Sequence, residues 1–124
     1  MSPDLSIMVI GDDSNFCYLM RRYVLKSNHQ IVFSYLGEDS LAIAEREKPV
    51  AIIIEIKPSG PVSWRLLQAV KSNLLTCKIP VILCSWQDEE KQSLEKGANA
   101  FLRMPILYDD FQAKLATTGI FPCQ

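Results

Sequence analysis

The feature that most constrains the fold is an unbroken apolar run, Val50–Ile54, that ends on a single acidic residue, Glu55. A run of this length is too short for a buried helix, and its β-branched residues are typical of a strand covered on both faces. Lys57 and Gly60 then mark a loop. Open α/β sheets place their ligand sites at the carboxyl ends of such strands. Glu55 therefore marks a candidate site.

Apolar runs and helical patterns alternate along the rest of the chain. Strands are predicted over residues 5–10, 31–35, 50–54, 79–84 and 100–104. Helices are predicted between them and after the last strand, with Asp13 or Ser14 capping the first and Leu94 anchoring the fourth, over 88–96. This alternation predicts an α/β fold, a doubly wound five-stranded parallel sheet with five helices on both faces.

Length and charge limit the classes of function. The 124 residues fit a single domain over residues 1–124. A formal net charge of −1 predicts neither a nucleic-acid partner nor attraction to an acidic membrane surface. No apolar segment approaches the roughly 20 residues that span a bilayer. The first residues, MSPDLS, lack the pattern of a signal peptide, so we expect a cytoplasmic chain.

The cysteines and the histidine predict little chemistry. Cys17, Cys77, Cys84 and Cys123 form no CxxC pair and have no metal-ligand spacing, which favours reduced structural thiols. His29 lies in a polar string and is expected in an exposed loop. With one histidine, a Cys–His or Ser–His–Asp nucleophile has little to build on. We expect the chain not to be an enzyme.

Two doubly wound topologies fit the alternation, and the loop after the first strand separates them. A dinucleotide-binding fold needs a glycine-rich loop there, but the sequence reads GDDSNF. We therefore predict the flavodoxin-like strand order 2-1-3-4-5, which brings the carboxyl ends of strands one and three together. Asp12, Asp13 and Glu55 then form an acidic cluster, and Ser85 and Met104 arrive from strands four and five. A small-molecule binder in this crevice would lack a phosphate-cradling loop.

Four strings, in order and at matching separations, resemble the receiver domain of two-component response regulators over nearly the whole chain. They are IMVIGDDS, AIIIEIKPSG, IPVILCSW and GANAFLRMP. The resemblance implies an acidic pair that holds magnesium and a strand-three aspartate that accepts phosphate from a histidine kinase. It also implies a switch pair, matched here by Ser85 and Phe101, and a lysine before the proline of strand five.

The chain departs from this family at the chemical positions. Gly11 stands where the family has its first acid, so Asp12 matches the second. The phosphoacceptor position holds Glu55, the lysine position holds Met104, and Trp86 replaces a small residue and is expected to crowd the pocket. Glutamate is one methylene longer than aspartate, and a displacement of about 1 Å can cost on the order of a hundredfold in rate. Met104 removes a cation that neutralises transition-state charge.

These departures lead to one main interpretation and one alternative. The main interpretation is an atypical receiver-like signalling domain that acts by protein–protein interaction without aspartyl phosphorylation. The alternative is a phosphotransfer-competent receiver. Within the first, Glu55 either accepts a hydrogen bond from Ser85 and holds an active-like state, or belongs to an inert site on a static interaction surface. The implied partner is a signalling protein, either a histidine kinase or an output domain, and a homodimer stays open.

The acidic cluster itself needs a compensating charge. Like charges in a semi-enclosed site raise carboxyl pKa values unless a cation intervenes. Lys57 is the nearest candidate in the sequence, and we hypothesise that its ammonium lies beside the cluster. A residual divalent-ion site on Asp12, Asp13 and Glu55 is the other option, because magnesium needs only one or two carboxylates.

Overall fold

A central parallel sheet organises the chain, which a computed structural model describes over residues 5–36, 39–57 and 61–120. Within those residues the strands follow the order β2-β1-β3-β4-β5, as predicted. The strands are β1 (Ser6–Ile10), β2 (Gln30–Ser34), β3 (Ala51–Glu55), β4 (Val81–Ser85) and β5 (Ala100–Arg103). The helices are α1 (Ser14–Lys26), α2 (Ser40–Glu47), α3 (Val62–Ser72), α4 (Glu90–Glu95) and α5 (Tyr108–Thr117). The predicted fold class is confirmed.

Side-chain alternation along the buried strands divides the core into two layers. In β3, Ile53 joins the layer packed against α1 and α5, whereas Ile52 and Ile54 join the layer packed against α2 and α3. Strand residues two apart share a face, so Glu55 follows Ile53 toward the α1–α5 side. The Glu55 side chain, the last of β3, therefore points toward the start of α1.

The N-terminus of α1 is set by Asp13, one of the two predicted caps. The Asp13 Oδ2 atom accepts a hydrogen bond from the backbone N–H of Phe16 at 2.8 Å. Such a bond satisfies a donor that has no partner within the helix. Between α4 and β5, Gly97 has a φ of +106°, the left-handed conformation that favours glycine after a helix.

The predicted anchor of α4 is wrong. Leu94 is 48% exposed, and Ser93, its neighbour on the helix, is the buried residue. The helix begins at Glu90 rather than at residue 88, so it is shorter than predicted. A single apolar residue in so short a helix is not enough to predict which face of the helix is buried.

The prediction that His29 lies exposed in a loop is also wrong. His29 is 4% exposed, and its Nδ1 atom lies 3.0 Å from the Ser27 hydroxyl. The His29 backbone N–H donates to the carbonyl of Val24 at 3.2 Å, which folds the chain back under the end of α1. The turn runs through Asn28, whose φ is +62°. The polar string therefore forms a tight helix-to-strand connection.

The predicted reduced thiols agree with the part of the chain that the structure describes. Cys17, Cys77 and Cys84 are free there, and Cys123 lies outside the described residues. Burial raises the pKa of the Cys84 thiol, so this cysteine behaves as an apolar core residue. None of the helices in the described ranges is long and apolar enough to cross a bilayer.

Burial of His29 predicts a pH-dependent stability. Desolvation lowers the pKa of His29, so the unfolded chain takes up a proton at its ordinary pKa of about 6.5 before the folded chain does. The free energy of unfolding should therefore fall as the pH drops below about 6.5, by at most about 1.4 kcal/mol per pH unit. Urea unfolding between neutral and mildly acidic pH, compared with His29→Gln, measures this slope. Equal slopes for the two proteins would contradict the burial of a neutral ring.

Candidate functional site

Glu55 ends β3 and turns its carboxylate onto the loop between β1 and α1. Its Oε1 atom accepts hydrogen bonds from the backbone N–H groups of Asp12, at 2.9 Å, and Asp13, at 3.2 Å. The residue is only 7% exposed. Backbone donors at a helix start, together with the helix dipole, favour a negative group at this place. The carboxylate is thus bound inside the protein by main-chain donors.

Gly11 lies against the same carboxylate. A Cβ atom at position 11 would be 2.9 Å from the Phe16 ring atoms Cδ2 and Cε2 and 3.0 Å from Glu55 Oε1. Phe16 belongs to the core layer that packs against α1 and α5, so a side chain at position 11 would require its ring to shift. Sequence reasoning identified the glycine as a missing acid but did not identify Phe16 as the neighbour that fills the space.

Asp12 is paired with Lys57, as hypothesised. The Lys57 Nζ atom lies 2.5 Å from Asp12 Oδ2, and the backbone N–H of Leu36 donates to Asp12 Oδ1 at 2.9 Å. The hydrogen bond from Lys57, and then that from Leu36, lower the pKa of Asp12. The same hydrogen bond raises the pKa of Lys57. The cation that the acidic cluster needs is therefore a side chain of the protein.

Ser63 holds the loop that carries Lys57, and sequence reasoning missed it. Its buried hydroxyl donates to the backbone carbonyl of Glu55 at 2.7 Å and accepts from the backbone N–H of Lys57 at 3.4 Å. These two bonds fix the exit of β3 on both sides of Ile56. A serine in the first turn of a predicted helix is a weak signal, because it is usually a solvent-facing cap.

Among the described residues, the switch-equivalent residues Ser85 and Phe101 form no hydrogen bond with the Glu55 carboxylate. Ser85 Oγ accepts a hydrogen bond from the backbone N–H of Gln87 at 3.1 Å, and Glu55 Oε1 accepts from Asp12 and Asp13. Of the two alternatives for Glu55, the one with a hydrogen bond from Ser85 is therefore not the arrangement found among the described residues. In the sheet register Glu55 lies opposite Cys84, and Ser85 is one position out of phase with it. Phe101 is buried in the core layer that packs against α2 and α3.

Met104 and Trp86 line a cleft beside α1. Met104 is buried, and its backbone N–H donates to the carbonyl of Ser85 at 2.8 Å. Trp86 is 63% exposed at the edge of the cleft, which has a volume of about 240 Å³. Asp13 and Phe16 also line it. Met104, at the lysine position, therefore forms an apolar wall of the cleft, and Trp86 lies at the edge of that cleft.

The acidic residues do not fit a magnesium ion. Magnesium requires oxygen ligands that converge on one point with near-octahedral geometry. Here Asp12 is engaged by Lys57 and Leu36, Asp13 caps α1, and Glu55 binds two backbone N–H groups. Within residues 5–36, 39–57 and 61–120, no group of three or more His, Cys, Asp or Glu residues is arranged to hold a metal ion.

Comparisons with known proteins identify what this fold and site resemble. No protein-family model matches the sequence. The chain is 25% identical over 103 residues to Protein PilH of Pseudomonas aeruginosa, which covers 81% of this chain and 85% of PilH. It is 27% identical over 103 residues to the response regulator PleD of Caulobacter vibrioides, which covers 81% of this chain but only 23% of PleD.

A solved structure supports the same assignment of fold. A response regulator receiver domain protein from Clostridium thermocellum superposes with a TM-score of 0.78 at 18% identity, covering 92% of this chain and 93% of that one. The chain therefore shares the fold of that receiver domain and is similar in sequence to PilH and PleD. The resemblance to response-regulator receivers that the sequence motifs predict is confirmed.

The Asp12–Lys57 pair predicts a change in the titration of one carboxyl group. In Lys57→Met the largest cause of the lowered Asp12 pKa is removed, so Asp12 should titrate at a higher pH than in the wild-type protein. Carbon-13 NMR of the aspartate carboxyl groups measures both values. Lys78→Met, which removes an exposed lysine after α3, is the matched control and should leave Asp12 unchanged. An Asp12 pKa equal in wild type and Lys57→Met would contradict the ion pair.

Proposed function

We propose that this chain is an atypical receiver-like signalling domain that acts by protein–protein interaction, without aspartyl phosphorylation and without enzymatic activity. One observation carries the proposal. The carboxylate at the phosphoacceptor-equivalent position, Glu55, is buried and accepts hydrogen bonds from the Asp12 and Asp13 backbone N–H groups. An acceptor for phosphoryl transfer must instead present an oxygen in line with an incoming phosphoryl group.

The groups around Glu55 support the same proposal. Phosphoryl transfer is catalysed by neutralising charge on the transferred group with a metal ion and a cationic side chain. Met104 is uncharged and buried where the family has its lysine. The Lys57 ammonium is already paired with Asp12, and the three acidic side chains point to separate partners. The lysine position is thus replaced by Met104, while Asp12, Asp13 and one oxygen of Glu55 are already engaged.

A domain of this kind would signal through a fixed surface. Its partner, in this proposal, is a cytoplasmic signalling protein, either a histidine kinase or an output domain, and not a nucleic acid or a membrane. The chain matches 23% of the length of PleD, which is named a response regulator. This similarity supports a partner in response-regulator signalling. A second copy of the chain is the other candidate partner.

Intact mass spectrometry tests the proposal directly. After incubation with acetyl phosphate and MgCl₂, the wild-type protein should show no added phosphoryl mass, because the Glu55 oxygen is held by backbone donors. A receiver that keeps the family's aspartate, acidic pair and lysine serves as the positive control in the same mixture. A stoichiometric adduct that is stable in acid, is lost in base and disappears in Glu55→Gln would overturn the proposal and support the phosphotransfer alternative.

A further inference from the structure

The acidic pocket has lost a side chain at position 11 and gained a methylene at position 55, and the two changes meet in space. The point where a Cβ of residue 11 would lie is 3.0 Å from Glu55 Oε1. A contact that short is tighter than packed interiors normally allow. A side chain at residue 11 would therefore require the Glu55 carboxylate to shift by a few tenths of an ångström.

Phe16 closes the remaining side of this space. Its Cδ2 and Cε2 atoms lie 2.9 Å from the same point, and the ring is buried against the sheet. The ring and the Glu55 carboxylate thus share the volume that a side chain at position 11 would take. Gly11 is needed for this close approach and not for an unusual backbone conformation, since the left-handed φ values among the described glycines are at Gly97 and Gly119.

Two backbone N–H groups stabilise the Glu55 carboxylate in the pocket. Glu55 Oε1 binds the N–H groups of Asp12 and Asp13, the two residues that follow Gly11. A buried carboxylate is tolerated only when charge-assisted hydrogen bonds replace its hydration. The anion position of this loop is consequently filled by a side chain of the protein, and Lys57 fills the cation position beside it.

We infer that Gly11 is a positioning residue that lets the Glu55 carboxylate fold into the acidic pocket, which closes the pocket to divalent cations. Placing a carboxylate at position 11, shortening residue 55 to aspartate and trimming the Phe16 ring that contacts position 11 should reopen it. The inference deepens the proposed function, because a pocket without a divalent cation lacks one component of phosphoryl transfer. It concerns cation binding and packing, so its test is separate from the phosphorylation test.

The first part of the test measures thermal unfolding of the metal-free protein. Gly11→Ala should lower Tm by at least about 4 °C, because overpacking a closed site costs this much in a domain of similar size. The loss should shrink when the same change is made in a Phe16→Leu background, since the ring atoms at 2.9 Å are then removed. A Gly11→Ala protein with the wild-type Tm would overturn the inference.

The second part measures cation binding with MgCl₂ alone as the probe, against NaCl of equal ionic strength. The wild-type protein, Gly11→Asp and Glu55→Asp should show no magnesium-specific rise in Tm. The double variant Gly11→Asp/Glu55→Asp, made in the Phe16→Leu background so that the ring does not occupy the space of the new side chain, should show a saturable rise, as expected when a ligand binds only the folded state. A saturable rise in the wild-type protein, or a folded double variant that does not respond, would overturn the inference. Should the double variant fail to fold, the wild-type titration and the Gly11→Ala pair still decide it.

A phosphoryl adduct on the wild-type protein would refute the proposed function and leave the Gly11 packing result standing. A magnesium response of the wild-type protein without any adduct would refute this inference and leave the proposed function standing. The two experiments therefore fail independently.

Discussion

The hydrogen bonds between the Glu55 carboxylate and the backbone N–H groups of Asp12 and Asp13 join the end of β3 to the start of α1. Several features of the site depend on them. A Cβ atom at position 11 would lie 3.0 Å from Glu55 Oε1 and 2.9 Å from the Phe16 ring, so the glycine leaves room for both side chains. The helix start receives its negative group from a neighbouring strand, and the carboxylate receives donors that replace water. Glu55 therefore connects the end of β3 to the start of α1.

Each acidic side chain of the pocket has its own partner within the protein. Lys57 neutralises Asp12, and the Ser63 hydroxyl holds the backbone on both sides of the residue between Glu55 and Lys57. The pair is partly exposed, with 40% of the Lys57 side chain and 33% of that of Asp12 open to solvent, so it contributes more to local charge than to overall stability. Asp13 is used as a helix cap. The site thus consists of separate local interactions instead of one convergent set of ligands.

The fold and the membership of the site could be predicted from sequence because they depend on periodicity and strand order. The apolar run before Glu55, the loop after β1 and the flavodoxin-like order brought Asp12, Asp13 and Glu55 together, and Lys57 was near enough in sequence to be expected. What could not be predicted depends on side-chain direction. The Glu55 carboxylate accepts hydrogen bonds from the Asp12 and Asp13 backbone and not from Ser85. This follows from the side-chain alternation of β3 and from the space that Gly11 leaves beside the carboxylate. The predictions for the burial of His29 and Leu94 were wrong for a similar reason. Short polar segments have no apolar periodicity from which the buried side can be predicted.

Hydrogen exchange of the Asp12 and Asp13 backbone amides, followed by NMR, tests the central interaction most directly. In the wild-type protein both amides should be protected, and protection should be unaffected by MgCl₂, because Glu55 occupies the donors. In Glu55→Ala both should exchange much faster, while amides within β1 keep their rates. Amides that exchange equally fast in the two proteins would contradict the account, because they would show that Glu55 does not anchor this loop.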